Sequence, residues 1–301
     1  MVNVSQLSPN PKVKIFAKLE GQNPAGSIKD RIALSMIAAA ENEGRLKPGS
    51  IVMEPSSGNT GIALALLCAL KGYHLKIVLP GNVSPERRQT IEAYGAEIID
   101  SPASEGSNGG VRMAKQLAEE NPDWVFLYQY GNPANPQAHF ATTGPEIMRD
   151  CPEITHFVAG MGTSGTLVGV GTYLKSVKPS VEVWAVEPPT GEQVDGLRNL
   201  DDGYIPEIFI DNDGVELLDR KKVVGPRESV EMTRRMVRET GIFAGISSGA
   251  IMAAAVKCAA EIDEGVIVTI VCDGGWKYLS TGAYAGDLDV VTENARKVIY
   301  F

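Results

Sequence analysis

Short apolar runs alternate with longer amphipathic segments along most of this chain. The runs predict strands at residues 13–19, 51–54, 75–79, 97–99, 124–128, 155–159, 181–186 and 266–272, with helices between most of them. Strands that alternate with helices form mainly parallel sheets covered by helices. The sequence therefore predicts an α/β fold, and its 301 residues are enough for two lobes with sizeable cores.

One lysine stands between a glycine turn and the start of a helical segment, in the run G-S-I-K-D-R at residues 26–31. A lysine amine becomes a useful nucleophile where its surroundings lower its pKa, and a partly desolvated site at a helix start can do this. We interpret Lys29 as a Schiff-base lysine. An exposed lysine near a helix start is the commoner case, so the interpretation depends on the motifs that follow.

The next motif is E-P-S-S-G-N-T-G at residues 54–61, a polar loop between a predicted strand and a predicted helix. Hydroxyl side chains beside the free N–H groups of a first helical turn form a receptor for a carboxylate. The amide of Asn59 can also bond a phenolic oxygen. The alternative is a simple helix cap by Ser57 or Asn59, but a cap needs one such residue and this loop carries several.

A third motif, G-M-G-T-S-G-T at residues 160–166, follows another predicted strand and precedes a helix. Glycines let the backbone approach an anion, hydroxyl groups donate to it, and the helix N-terminus adds positive potential. Tight packing would explain such a turn equally well. The loop lacks the lysine of a nucleotide-binding P-loop, so it predicts a seat for the phosphate of a small cofactor.

Together these motifs resemble the cysteine synthases of the B type, in the fold type II (tryptophan synthase β) group of pyridoxal-phosphate enzymes. The resemblance covers essentially the whole chain, and its motifs follow the family's order. It rests on residues 23–31, 54–61, 128–136, 142–146, 162–166, 245–249 and 278–282. It implies a smaller mobile lobe at residues 24–133, a larger cofactor-binding lobe at residues 1–23 plus 134–301, and pyridoxal 5'-phosphate between them.

The resemblance also implies a role for each site residue. Lys29 would hold the cofactor as a Schiff base and act in catalysis, and Asn59 would bond the 3' oxygen of its ring. The cofactor phosphate would lie on Gly162, Thr163, Ser164, Gly165 and Thr166, with Ser247 on the pyridine side of the ring. The substrate carboxylate would be bound by Ser56, Ser57, Asn59, Thr60 and Gln129. No metal is implied.

The implied reaction is a β-replacement that forms L-cysteine. An activated serine, O-phosphoserine or O-acetylserine, would lose its leaving group to give an α-aminoacrylate, and a sulfur nucleophile would then add. The sulfur would come from sulfide or from a protein thiocarboxylate. Two other enzymes of the same fold remain open, a cystathionine β-synthase and a serine or threonine dehydratase. A catalytically silent relative that binds partners is a further alternative, which the intact lysine and phosphate loop disfavour.

The choice between the two activated serines depends on Arg198, in the segment G-E-Q-V-D-G-L-R-N-L at residues 191–200. Relatives that use O-phosphoserine carry an arginine at the matching place, and a guanidinium can bind a phosphate leaving group with two parallel donors. We favour O-phosphoserine on this ground. The alternative is a solvent-exposed arginine with Asp195 or Asp201 as a casual partner.

The chain departs from the family at three places. Most relatives have threonine where this chain has Ser56, which keeps the hydroxyl. A-type relatives place a serine near the last strand against the pyridine nitrogen, where this chain has C-D-G-G-W at residues 272–276, so Ser247 and Asp273 both remain candidates for that contact. The family usually begins with a G-N-T-P-L loop, so the start of this chain is either truncated or short.

The bulk properties exclude some partners. A net charge of −9 argues against binding to nucleic acid, which favours a basic surface. The sequence contains neither a bilayer-length apolar stretch nor a leader peptide pattern, so we expect a cytoplasmic protein without membrane partners. The four cysteines form no metal or disulfide pattern and predict buried thiols. The family resemblance adds the expectation of a homodimer.

Two further segments are predicted to lie on the surface. Residues 86–88, E-R-R, are interpreted as the solvated face of a helix that follows a turn. Residues 101–110, rich in serine and glycine, are interpreted as a mobile surface loop.

Overall fold

Two mainly parallel sheets, each covered by helices, make up the fold in the computed structural model, which describes residues 1–56, 58–81 and 83–297. The strands are β1 (Val2–Asn3), β2 (Val13–Leu19), β3 (Ile51–Pro55), β4 (His74–Pro80), β5 (Glu97–Ser101), β6 (Val125–Phe126), β7 (His156–Gly160), β8 (Glu182–Glu187), β9 (Arg220–Val223) and β10 (Gly265–Val271). The α/β prediction is confirmed.

The α-helices of the described residues are α1 (Lys29–Asn42), α2 (Asn59–Lys71), α3 (Pro85–Ala93), α4 (Gly106–Glu120), α5 (Ala134–Ala138), α6 (Gly144–Asp150), α7 (Gly165–Val177), α8 (Glu207–Asp211), α9 (Gly214–Leu217), α10 (Pro226–Arg235), α11 (Ile246–Glu261) and α12 (Leu288–Lys297). A π-helical turn, His139–Thr143, joins α5 to α6. No helix in these residues has both the length and the apolar character needed to cross a bilayer.

The larger sheet has the strand order β1-β2-β10-β7-β8-β9, and only its edge strand β1 runs antiparallel. The smaller sheet has the order β5-β4-β3-β6 and is parallel throughout. The carboxyl ends of parallel strands lie at one edge of a sheet, which is where ligands bind in open α/β folds. Each sheet therefore presents one such edge to a site.

The burial pattern explains why these segments pack as they do. Side chains of β7 alternate between the two faces of the larger sheet, with Phe157 in the core beneath α7 and Val158 in the core beneath α11. A separate core lies between the smaller sheet and α1 and α2, and includes Ile37 and Leu64. The four strands of the smaller sheet all fall within residues 51–126, inside the range expected for the smaller lobe.

The eight predicted strands correspond to strands of the structure within a few residues at each end. Two strands were not expected. The edge strand β1 is only two residues long, and the edge strand β9 has the sequence R-K-K-V, whose charged side chains hide its pattern. Lysine and arginine are common on edge strands, where they discourage pairing with other chains.

The expectation of a mobile loop at residues 101–110 is wrong. Ser101 ends β5, and α4 begins at Gly106. A Cβ on Gly109 would lie 2.4 Å from the Cβ of Glu105, so this glycine accommodates the turn that leads into α4. The segment is therefore a strand end followed by a short turn and the first residues of a helix.

Candidate active site

The predicted site residues surround one open cavity. It lies beyond the carboxyl ends of β3, β7 and β10. The structure brings together the following predicted residues on its wall: Lys29, Ser56, Asn59, Thr60, Gln129, Gly162, Thr163, Ser164, Gly165, Thr166, Arg198 and Ser247. Ser57 lies outside the described residues.

Lys29 lines this cavity as the first residue of α1. The N–H of Ile28 donates to the carbonyl of Cys272 at 2.8 Å, which ties the start of the helix to the end of β10. Burial lowers the pKa of the Lys29 amine, although Cys272 and Asp273 act in the opposite direction. A lowered pKa increases the neutral fraction of an amine, as a nucleophile or base requires.

An arginine two residues further on holds this helix start in place. Arg31 donates from Nε to Glu20 Oε2 at 2.7 Å and from Nη2 to Glu146 Oε2 at 2.7 Å, and Nη1 reaches Thr142 Oγ1 at 2.9 Å. Hydrogen bonds from Arg31 lower the pKa of Glu146 to about 2. Because Glu20 precedes the turn and Glu146 lies on α6, the arginine fixes α1 against both.

The polar loop after β3 is held by Ser56. Its Oγ accepts from the N–H groups of Gly58 at 3.1 Å and Gly61 at 3.0 Å, so Ser56 caps the start of α2. The capping residue expected at this loop was Ser57 or Asn59. Since Ser56 accepts these two bonds, its hydroxyl hydrogen stays available for a ligand.

Thr60 and Gln129 form a buried pair on the cavity wall. Gln129 Nε2 donates to the carbonyl of Pro55 at 3.0 Å, so its Oε1 must face Thr60, whose hydroxyl donates to it at 2.7 Å. Glu54, fully buried, accepts from the N–H groups of Tyr128 at 2.7 Å and Gln129 at 2.9 Å. These contacts fix the side chain of Gln129 on the cavity wall, and the backbone N–H groups of the first turn of α2 can receive a carboxylate.

Asn59 is held by charged groups on both sides. Its Nδ2 donates to Asp273 Oδ2 at 2.8 Å, and its Oδ1 accepts from Lys277 Nζ at 2.8 Å. Tyr278 donates its hydroxyl to the same Asp273 oxygen at 2.6 Å. Burial raises the pKa of Asp273 and lowers that of Lys277. The network fixes the amide orientation and leaves the second Nδ2 hydrogen for another acceptor.

The two candidates for the contact with a pyridine nitrogen, Ser247 and Asp273, differ in whether they line the cavity. Among the described residues, Ser247 lines the cavity at the start of α11, whereas Asp273 does not. Asp273 is fully buried and uses one carboxylate oxygen for Asn59 and Tyr278. The cavity therefore offers a hydroxyl, not a carboxylate, at this position.

The loop at residues 162–166 forms a cradle at the start of α7. A Cβ on Gly165 would lie 1.9 Å from Asn135 Oδ1, and one on Gly162 would lie 3.0 Å from the carbonyl of Gly196, so larger residues would displace the walls. Ser164 has a left-handed backbone with φ of 69°, which turns the chain into the helix. First-turn N–H groups and three hydroxyls suit a phosphate without a metal or a lysine.

Arg198 is buried in the cavity wall and only 6% exposed. Its guanidinium carbon lies 4.6 Å from the ring centre of Tyr204 and 5.3 Å from that of Tyr130. Nη1 donates to Asn108 Oδ1 on α4 at 3.0 Å. The alternative of a solvent-exposed arginine is therefore wrong, and a cationic group faces the cavity.

The interpretation of residues 86–88 as a solvated face is wrong for Arg87. This residue is 2% exposed, lines the cavity and forms an ion pair with Asp195, while its guanidinium lies 4.7 Å from the ring of Tyr278. The available signal was the spacing to Ile91, four residues later on the same helical face, which is fully buried. Lys277 was also missed, because no local pattern indicates its contact with Asn59.

Comparisons with known proteins identify the family to which the chain is similar. A profile of the family described as "Pyridoxal-phosphate dependent enzyme" matches residues 1–273. "Cysteine synthase B" of Salmonella typhimurium is 42% identical over 285 residues, 94% of this chain and 92% of that protein. The structure of O-ureido-L-serine synthase matches with a TM-score of 0.87 and 37% identity over 96% of this chain and 94% of that one. That of the O-acetylserine dependent cystathionine beta-synthase from Helicobacter pylori matches with a TM-score of 0.86 and 34% identity over 93% of each chain.

Proposed function

The chain belongs to the family of pyridoxal-phosphate-dependent enzymes, and we propose that it is a cysteine synthase, a transferase that replaces the β substituent of an activated L-serine by sulfur. Its cofactor is pyridoxal 5'-phosphate. The similarity to a cysteine synthase over most of the chain supports this reaction. The observation that carries the proposal is the convergence of a buried lysine, a phosphate-type cradle and a carboxylate-type receptor on one cavity.

We assign the residues that hold the cofactor from the walls of this cavity. Lys29 would form the covalent bond, the loop at residues 162–166 would bind the phosphate, and Asn59 would donate to the 3' oxygen. Ser247 would face the pyridine nitrogen, since it lines the cavity and Asp273 does not. When bound, the cofactor supplies an electron-withdrawing ring that weakens the bond to the substrate's α hydrogen.

Lys29 also serves as the catalytic base. Its lowered pKa favours the neutral amine, which removes the proton from the substrate's α carbon and later returns a proton to it. The clamp of Arg31 on Glu20 and Glu146 keeps the start of α1, and with it the lysine, in a fixed position.

The substrate carboxylate would be received at the start of α2. Ser56 has a hydroxyl hydrogen to donate, Gln129 lines the same cavity, and Asn59 and Thr60 begin the helix with N–H groups. We include Ser57 in this receptor because of its place in the motif. We also propose that residues 24–133 form the lobe that closes over the bound substrate and excludes water.

O-phosphoserine is the activated serine that the cavity favours in this proposal, with O-acetylserine as the second candidate. Arg198 presents a buried guanidinium, which can stabilise the two negative charges of a departing phosphate. Acetate needs no such cation. The sulfur donor would be sulfide or a protein thiocarboxylate. The solved O-acetylserine dependent cystathionine β-synthase supports a cystathionine-forming enzyme as the alternative activity.

We propose further that the enzyme is a cytoplasmic homodimer that acts in cysteine and amino-acid biosynthesis. All four cysteines are free thiols, which suits a reducing compartment. The dimer rests on the family resemblance.

A steady-state comparison tests the function. Purified enzyme is assayed with O-phosphoserine and with O-acetylserine, each with sulfide, and cysteine is measured. The proposal predicts cysteine from both, with the higher kcat/KM for O-phosphoserine. Parallel assays with homocysteine in place of sulfide, and with serine or threonine alone, measure cystathionine and keto acid. Faster formation of either product than of cysteine would replace the proposal by the corresponding alternative.

A further inference from the structure

Two buried arginines line the cavity, and they differ in the groups that surround their charge. Arg87 forms an ion pair with Asp195. The Asp195 carboxylate, expected as an alternative partner of Arg198, is thus engaged elsewhere. In the described part of the chain, Arg198 pairs with no carboxylate and donates instead to the side-chain amide of Asn108. A buried cation without a counter-ion is costly, so Arg198 points to an anionic ligand.

The bond to Asn108 has a defined orientation. A guanidinium has only donors, so the partner of Arg198 Nη1, at 3.0 Å, must be the amide oxygen of Asn108 and not its nitrogen. The amide is uncharged, and it therefore holds the guanidinium without cancelling its charge. A carboxylate in the same place would accept the same bond but would neutralise the cation.

Aromatic rings restrain the guanidinium further. Its central carbon lies 4.6 Å from the ring centre of Tyr204 and 5.3 Å from that of Tyr130. Tyr128 donates its hydroxyl to Glu207 at 2.9 Å, so the hydroxyl of Tyr204, 2.9 Å from that of Tyr128, donates to it. The carboxylate of Glu207 is thereby used by Tyr128. The rings position Arg198 and leave its positive charge in place.

The bond between Asn108 and Arg198 joins the two sides of the cavity. Asn108 lies in the first turn of α4, which packs against β3 and β4 of the smaller sheet, and Ser107 beside it lines the cavity. Arg198 follows β8 of the larger sheet, and its N–H donates to the carbonyl of Met161 at 2.7 Å. The position of the guanidinium therefore depends on both sheets.

We propose that Asn108 is a positioning residue that determines specificity: it holds the guanidinium of Arg198 with its charge uncancelled, and so favours a serine activated by a dianionic group over one activated by an uncharged acyl group. The inference rests on the proposed role of Arg198 towards O-phosphoserine. A phosphate accepts charge-assisted hydrogen bonds from a guanidinium and gains from its full charge, whereas an acetyl ester carries no charge to bind.

Asn108→Asp tests the inference most sharply, because it keeps the size of the side chain and an acceptor oxygen but adds a negative charge. Aspartate is well tolerated in a first helical turn. The new carboxylate would pair with Arg198 and repel a phosphate. The ratio of kcat/KM for O-phosphoserine to kcat/KM for O-acetylserine should fall by roughly one to two powers of ten, the scale of a lost charge-assisted contact.

Gln116→Glu is the matched control, since it adds the same charge to an exposed position of the same helix. Its ratio should stay within about twofold of wild type. A merely structural role of Asn108 would lower kcat/KM for both substrates together and leave the ratio unchanged. An unchanged ratio in Asn108→Asp, or an equal fall in the control, would overturn the inference.

A double-mutant cycle tests whether Asn108 acts through Arg198. Asn108→Ala removes the acceptor and should lower kcat/KM for O-phosphoserine by about tenfold in the otherwise wild-type enzyme. In the Arg198→Ala background the same change should cost less than about twofold, because the guanidinium that it positions is gone. Equal losses in the two backgrounds would show that Asn108 acts independently of Arg198 and would overturn the inference.

The same kinetics separate this inference from the proposed function. If wild-type enzyme forms cysteine from neither activated serine, the proposed function itself is wrong. If Arg198→Ala lowers kcat/KM equally for both substrates, Arg198 does not recognise the phosphate and the inference about Asn108 fails with it. If Arg198→Ala is selective for O-phosphoserine and Asn108→Asp is not, the role of Arg198 stands and that of Asn108 is overturned.

Discussion

Arg87 and Asp195 form an ion pair in the cavity wall, with side chains only 3% and 10% exposed. Arg87 lies on α3 beside the smaller sheet, and Asp195 lies in the segment that follows β8 of the larger one. The pair therefore links the parts of the chain on either side of the candidate active site. Asp195→Asn removes the carboxylate charge beside this buried guanidinium, and loss of one partner of a buried ion pair costs more than the pair contributes.

Asp195→Asn should accordingly lower the free energy of unfolding by about 3 kcal/mol. The matched control is Asp100→Asn, because Asp100 pairs with the neighbouring Arg88 at 61% exposure of the carboxylate side chain. The control should change stability by less than about 1 kcal/mol. Urea unfolding of both variants measures the difference. Similar losses of unfolding free energy in the two variants would show that burial does not make the Arg87–Asp195 pair more important for stability.

The contact of Thr60 with Gln129 predicts a selective effect on substrate binding. Thr60→Val leaves the buried acceptor Gln129 Oε1 without its donor, which disrupts the buried pair beside the proposed carboxylate receptor. We expect KM for the amino-acid substrate to rise about tenfold, the scale of one lost hydrogen bond to a charged group. Thr60→Ser restores the hydroxyl and should restore KM. Equal KM values in the two variants would contradict the role of this hydroxyl.

Arg198 predicts a difference between two substrates. Arg198→Ala should lower kcat/KM for O-phosphoserine by roughly one to three powers of ten and barely affect O-acetylserine. Arg198→Lys keeps the charge but loses the two parallel donors, so it should fall between wild type and alanine. Steady-state kinetics on both substrates provide the measurement. Equal losses on both would mean that Arg198 shapes the site generally.

Glu54 predicts a pH dependence of stability. Burial raises the pKa of its carboxyl from 4.5 to about 8, so between these values the folded protein retains a proton that the unfolded chain has released. The contribution of Glu54 is therefore favourable at low pH and is lost as pH rises through this window, by at most about 1.4 kcal/mol per pH unit.

Glu54→Gln removes the titrating group and serves as the reference for this effect. The difference in unfolding free energy, wild type minus Glu54→Gln, should fall steadily from pH 5 to pH 8 in urea titrations of the two proteins. Titrations of other groups cancel in this difference. A constant difference over that range would contradict the raised pKa.

Local patterns in the sequence predicted the parallel α/β fold, and local motifs together with the family resemblance predicted most residues of the cavity wall. Strands such as β7 are continuous apolar runs, and the loops that follow β3 and β7 carry their polar residues in consecutive positions. In parallel sheets such loops meet at the carboxyl ends of the strands. Residues of these loops therefore lie close together in the folded protein.

The missed residues act through contacts between distant segments. Arg87 meets Asp195 and His139 meets Thr166 only after helices have packed, and Lys277 reaches Asn59 across more than two hundred residues. No local pattern in the sequence indicates which residues Arg87 and His139 contact. The prediction for residues 106–110 was wrong because a segment rich in serine and glycine can be either a mobile loop or the start of a helix.

Lys29 is the residue that we propose binds the cofactor covalently. The cavity region holds a second lysine with a burial-lowered pKa, Lys277, which gives the test a real alternative. Holoenzyme is reduced with borohydride, digested, and the modified peptide identified by mass spectrometry, with Lys29→Ala as the control. We expect the pyridoxyl group on Lys29 and none on any lysine of the variant. A pyridoxyl group on Lys277, or unchanged labelling in Lys29→Ala, would contradict it.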